Sequence, residues 1–191
     1  SSKIGKDPTR RWIVDPLDGT TNYIHGIPHW SISIALEFKS EIISAVIYDP
    51  LRDELFVAEK GVGAWLNDRR LRVSNRKNLP EMLFSTGIPF GEKPHLDLTL
   101  QEIEKLMPMC SGIRRNGSAA LDLAYVSAGR FDAFWERNLN PWDIAAGILI
   151  VKEAGGFISS IGDDKSPIET GNIIASNTEI YKKFSSIISA T

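Results

Sequence analysis

The sequence is poor in thiols. Its 191 residues hold a single cysteine, Cys110, so no internal disulfide can form and nothing points to an oxidising compartment. Long apolar runs are missing too: none approaches the ~18 residues of a membrane helix, and no signal peptide opens the chain. A cytoplasmic protein without membrane contact is therefore expected. Excess charge of one sign is lacking as well. The 22 Lys and Arg against 24 Asp and Glu leave a net charge of −2, so a bulk basic surface is excluded and no nucleic-acid partner is expected. Repeats, low-complexity tracts and linker-like runs are absent, which argues for one domain over residues 1–191. Histidine is scarce, with only His25, His29 and His95. Neither Cys110 nor Ser118 has a convincing partner for nucleophilic catalysis, and His25 and His29 read as structural or rim residues.

What is present is an ordinary globular composition, 42% hydrophobic and 24% charged, which suits a packed core. Residues 12–14 read as a short strand ended by Asp15–Pro16. Trp30, Ile32, Ile34, Leu36 and Phe38 alternate with polar or small residues at the period of a sheet strand. Residues 42–48 and 55–58 are further strands. Asn67–Asp68 suggests a hairpin between 64–66 and 71–73, and 82–86 is another strand. Later the pattern changes, with helices over 98–107, 118–128, 140–154 and 178–188 and strands over 131–135 and 172–176. The last long helix has Asn140 as cap, Pro141 at its first position and Gly155–Gly156 as stop. Strands early and alternation late give an α/β (α+β) class, layered from sheets and helices.

Residues 12–28, WIVDPLDGTTNYIHGIP, hold the densest cluster of chemistry. Pro16 biases Asp15 away from helical geometry. Asp18 follows across a Pro-Leu turn that folds both carboxylates toward one point and leaves the Leu17 carbonyl outward as a third hard oxygen. Such oxygens suit Mg²⁺. Gly19, Thr20 and Thr21 come next, and a helix beginning there offers N–H groups and hydroxyls to a phosphate. The same D-P-L-D-G string also reads as a plain turn. Asp143 sits in the first turn of the helix after Asn140, where a carboxylate complements the helix dipole. Trp142 beside it reads as packed, which places Asp143 near the interior. The helix that follows is apolar nearly all round, hence buried.

The two motifs WIVDPLDGTTNYIHGIP and PWDIAAGILIVKEAGG (residues 141–156), with RRNGSAALDLAYVSAGRFDAFWE (114–136) between them, resemble the inositol monophosphatase family, particularly its bacterial branch. The resemblance runs from Asp7 onward. It implies the layered helix/sheet sandwich of the inositol monophosphatase and fructose-bisphosphatase type, and a Mg²⁺-dependent phosphomonoesterase hydrolysing inositol monophosphate with a metal-activated water. It further implies that Asp15, the Leu17 carbonyl, Asp18 and Asp143 bind metal, with Asp18 and Thr20 catalytic. Leu17, Asp18, Gly19, Thr20 and Thr21 would meet the phosphate. Arg114, Ser118, Ala119 and Glu136 would meet the inositol ring, although Arg114–Arg115 also reads as a solvated strand end. A homodimer is likewise implied. The family takes one more metal-binding Glu from an upstream helical segment, and residues 1–11 offer only Asp7 as an acid. Because the chain opens on Ser1 rather than Met, the expectation is that this segment is omitted. The same chemistry on 3′-phosphoadenosine phosphate, fructose bisphosphate or histidinol phosphate stays open. So does a non-catalytic regulatory binding protein, with the basic clusters Arg69–Arg70–Arg72 and Lys182–Lys183 as contact points.

Overall fold

The computed structural model describes residues 7, 9–88 and 95–189. The sequence also offers the Gly- and Pro-rich turn 87–91 as part of a substrate rim or as a plain loop, and of it residues 89–91 lie outside the described residues. In chain order the elements are β1 (Arg10–Asp18), α1 (Thr20–Ile24), β2 (Ser31–Phe38), β3 (Glu41–Asp49), β4 (Glu54–Glu59), β5 (Gly63–Leu66), β6 (Arg69–Arg70) and β7 (Leu83–Thr86). Then come α2 (Leu96–Leu106), β8 (Gly112–Arg114), α3 (Ala119–Ser127), β9 (Ala133–Glu136), α4 (Pro141–Glu153), β10 (Phe157–Ser159), α5 (Pro167–Thr170), β11 (Ile173–Ser176) and α6 (Tyr181–Ser189).

Strands β1 to β6 form one antiparallel meander in sequence order. The second sheet runs β10-β11-β9-β7-β8, with β7 parallel to both β8 and β9. Helices α3 and α4 fill the space between the two sheets. Their small side, Ala120, Ala124, Ala145 and Ala146 with Leu121 and Leu149, packs on Ile13, Ala35, Ile47 and Phe56 of the first sheet. Their bulkier side, Leu123, Val126, Ile144, Ile148 and Val151, packs on Phe134, Ile173 and Ala175 of the second. The far face of that second sheet, through Phe84, Trp135 and Ile174, is covered by Leu106 of α2 and Phe184 and Ile188 of α6. The order is sheet, helices, sheet, helices, so the layered α/β expectation holds. A helix buried on both sides needs apolar residues all round, and α4 has them: every residue from Ile144 to Val151 is buried.

Several boundaries differ from the sequence reading. The hairpin at Asn67 pairs β5 with Arg69–Arg70 rather than with residues 71–73. Three short elements, β8, β10 and α5, carry too little periodicity to be seen in the sequence. Strand β1 does not stop at Val14 but continues through Pro16 to Asp18, which is permitted because β1 is an edge strand and the missing N–H of Pro16 costs no ladder bond. Helix α4 ends as expected. Gly155 adopts φ 86°, its N–H donates to Lys152 O at 3.0 Å and that of Gly156 to Val151 O at 2.9 Å, a Schellman closure.

The α3–α4 contact is tight at Gly147, where an added Cβ would lie 2.4–2.5 Å from Cδ1 and Cβ of Leu123. Alanine gains about 1 kcal/mol over glycine in a helix interior, but overpacking costs roughly 1–3 kcal/mol. Gly147→Ala is therefore expected to lower the free energy of unfolding, by up to about 2 kcal/mol in urea titration.

Candidate metal and phosphate site

Residues three apart on a regular strand face opposite sides, so Asp15 and Asp18 should diverge. They do not, because β1 carries a bulge: Asp15 pairs with Ser33 and Asp18 with Ser31, three steps on one strand against two on the other. The extra residue brings both carboxylates to the inner face. A bulge within the strand, rather than the expected Pro-Leu turn, brings the pair together.

Each carboxylate is held by a backbone donor. Leu17 N–H donates to Asp15 Oδ1 at 2.9 Å. Asp18 is buried where the chain enters α3, and its Oδ2 accepts from Ala120 N–H at 3.0 Å and from the Ser118 hydroxyl. Asn140 N–H donates to Asp143 Oδ2 at 2.7 Å, closing the first turn of α4. Asp143 thus serves the helix start and faces the site together. Ligand atoms of Asp15, Asp18 and Asp143 lie within 4.8 Å of one another. Burial is the main cause that raises the Asp18 carboxyl, to about 7; the Ser118 and Ala120 hydrogen bonds oppose it, and Asp143 and Asp15 add to it. Burial also raises Asp15 and Asp143. A divalent cation would reverse this logic. The three carboxylates are all hard-oxygen donors and fit a hard divalent cation such as Mg²⁺ better than a soft metal.

The three acids open into a cavity of about 500 Å³. Leu17, Gly19, Thr20 and Thr21 line it beside the acids, and Ser118, Ala119 and Glu136 line it from the other elements. Gly19 has φ 90°, and an added Cβ would press on His29 O at 3.0 Å, so the entry to α1 demands glycine. The Thr20 hydroxyl donates to Leu17 O at 2.9 Å, tying α1 to the bulge. Since α1 has only five residues, what it offers the cavity is local N–H groups rather than a macrodipole.

Two placements differ from the sequence reading. Arg114 is exposed and does not line the cavity, whereas its neighbour Arg115 does. β8 ends at Arg114, and the chain turns there. Trp142 is 46% exposed rather than packed, so Asp143 owes its position to the start of α4, not to a buried neighbour. Of the other nucleophile candidates, Cys110 lies in the α2/α6 core cluster with its thiol raised by burial. The Ser118 hydroxyl is engaged twice, donating to Asp18 and accepting from Leu121 N–H as the cap of α3.

The buried polar residues Asn22 and Asp122 were missed. Asn22 is buried on α1, and its Nδ2 donates to His29 O and Asn116 O. Asn116 in turn donates to Asp122 Oδ1 at 2.9 Å. Asp122 is buried in α3, and burial pushes its carboxyl well up. An acid amid the apolar run AALDLAY was its signal. Gly87, in the candidate rim turn, does line the cavity: a Cβ there would fall 2.0–2.1 Å from the Glu136 carboxyl group, so its bare backbone forms the wall for Glu136. Burial holds the Glu136 carboxyl well above its ordinary range, with Asp122, Asp18 and Asp143 adding to the effect.

A profile of the inositol monophosphatase family matches residues 1–190. The chain belongs to the inositol monophosphatase family. Among the family's members, the inositol-1-monophosphatase of Rhizobium meliloti is 52% identical over 184 residues, covering 96% of this chain and 69% of that protein. The Nus factor SuhB of Pseudomonas aeruginosa is 51% identical over 173 residues, 90% of this chain and 64% of that one. In structure, the extragenic suppressor protein suhB of Bartonella henselae superposes with a TM-score of 0.93 at 52% identity, over 97% of this chain and 72% of that one.

Ser118→Ala removes the cap of α3 and one donor to Asp18. A cap is worth about 1 kcal/mol, so urea unfolding in the presence of chelator is expected to show a loss of roughly 1–2 kcal/mol.

Proposed function

We propose that this family member is a Mg²⁺-dependent phosphatase, hydrolysing a small polyol phosphate, inositol monophosphate, to the free polyol and inorganic phosphate. The observation that carries the reading is the meeting of Asp15, Asp18 and Asp143 with Gly19, Thr20 and Thr21 at one end of a single cavity and Glu136 at another part of its lining. The name of the Rhizobium meliloti relative supports the same substrate.

Asp15, the Leu17 carbonyl, Asp18 and Asp143 would hold the cation. When bound, it supplies Lewis-acid stabilisation of the phosphoryl oxygens and makes water a better nucleophile. The chain itself does the positioning. Ser118 and Ala120 fix one oxygen of Asp18, and Thr20 is fixed on Leu17, so the two catalytic groups share one rigid frame. The N–H groups of Gly19, Thr20 and Thr21 face the phosphate. Displacement then proceeds in line, water oxygen bonding to phosphorus as the ester oxygen leaves with a proton. Glu136 accepts a hydroxyl of the polyol, and Ser118 and Ala119 border the ring. No protein nucleophile is required, consistent with the engaged Ser118 hydroxyl. We take the 191 residues as one domain acting in the cytoplasm as a homodimer. Among the described residues, no helix is long and apolar enough to cross a membrane.

A second reading, regulatory binding on the same fold, is favoured by the relatives named Nus factor SuhB. One substitution separates the two. In the natural gene product, phosphate release from myo-inositol 1-phosphate with millimolar Mg²⁺ is expected, abolished by chelation and lowered about 10²–10³-fold by Asp18→Asn, the loss of several kcal/mol of transition-state stabilisation. No release by the unmodified protein from this or any ester in a panel including 3′-phosphoadenosine phosphate, fructose bisphosphate and histidinol phosphate would sink the phosphatase reading. A biological role that survives Asp18→Asn would favour the regulatory one.

A further inference from the structure

Glu136 sits between two residues that are both tied to a helix outside the cavity. Arg137, just past β9, makes a two-pronged contact with Glu102 of α2: Nη1 to Oε2 at 2.8 Å and Nη2 to Oε1 at 2.5 Å. Trp135 Nε1–H donates to the same Oε2 at 2.9 Å. Glu102 is fully buried and Arg137 nearly so. The backbone of Trp135 is held as well, its carbonyl accepting from Thr86 Oγ1 at 2.7 Å. Glu102 does not line the cavity, and Glu136 does.

This arrangement is a poor device for stability. The desolvation of two charges commonly outweighs their attraction, and an apolar pair of similar volume often serves a fold as well or better. What a planar fork supplies instead is direction: a guanidinium meeting a carboxylate on two bonds has one good geometry. With residues 135 and 137 both fastened, the residue between them has little freedom along the strand. The wall at Gly87, where even a Cβ would overlap the Glu136 carboxyl group, leaves little sideways room.

We propose that Glu102 is a positioning residue that acts through Arg137 and Trp135 to fix Glu136, and so sets affinity for the hydroxyl-bearing part of the substrate. It leaves the phosphoryl step unchanged, because the groups that serve that step come from β1, α1, α3 and α4. The proposal rests on the reading of Glu136 as the acceptor of a polyol hydroxyl.

The test compares two esters, myo-inositol 1-phosphate and the hydroxyl-free p-nitrophenyl phosphate, on the natural gene product. The paired change Glu102→Leu with Arg137→Met removes both charges and leaves only the Trp135 Nε1–H without its acceptor. Its melting temperature should hold within a few degrees, the orphaned Trp135 N–H offsetting the relief of two buried charges. Its kcat should stay within about threefold, and its KM for the inositol ester alone should rise about tenfold, the scale of a lost hydrogen bond to a charged group. Trp135→Phe, which deletes one donor, should raise the same KM about threefold and decides the matter if the paired variant does not fold. An unchanged inositol KM, or an equal rise for both esters, overturns the proposal. Glu136→Gln is the control. If it leaves the ratio of the two KM values unaltered, the reading of Glu136 has failed and the proposal falls with it. If it shifts that ratio and the Glu102 variants do not, the positioning role alone is refuted.

Discussion

Like charge crowded into a half-buried space is the constraint around which this molecule is arranged. At ~4 Å, two unit charges repel by about 4 kcal/mol even at an effective dielectric of ~20, and here three carboxylates have ligand atoms within 4.8 Å. The fold gives each one a backbone N–H: Leu17 to Asp15, Ala120 to Asp18, Asn140 to Asp143. Those donors offset part of the cost and aim the remaining oxygens at one point. The bulge in β1 and the starts of α3 and α4 all meet there. A cation is the natural completion of such a set, which is why the hard-oxygen chemistry of the cluster carries more weight than any one of its acids.

The cavity divides its labour between the two sheets. Its acidic end is built from the edge strand of the first sheet and the N-termini of the helices buried between the layers. Glu136 comes from β9, with the Gly87 backbone after β7 as its wall, both on the side of the second sheet. The cation ligands and Glu136 therefore come from different elements, with the start of α3 touching both parts of the lining.

Much of this was legible in the sequence because the information was local. Asn140, Pro141 and Gly155 announce the ends of α4, and a helix with no polar side can only be interior. The residues 15–21 carry their chemistry in adjacent positions. What escaped was long-range. Whether Asp15 and Asp18 converge depends on the register of β1 against Ser31 and Ser33, which no local pattern states. Arg115 rather than Arg114 reaches the cavity because β8 ends one residue earlier, and β8 itself exists only through its pairing with β7. Trp142 was read as packed on size alone, yet at the helix start it stands about half exposed. Asp122 was passed over because its helix read as pure core, and only the fold brings it beside Asn116 and toward Glu136.

The bulged strand has one more consequence. Asp15 and Asp18 belong to the first sheet, while Asp143 opens a helix that the chain reaches only near its end. An ion gripped by all three joins the earliest strand to the late helical layer, as a removable rivet joins two plates. Unfolding must break that joint, so the free energy with which the protein holds its ion adds to the free energy with which it holds its shape. Under the proposed function, loss of the metal would loosen the fold at the same place where it would silence the chemistry.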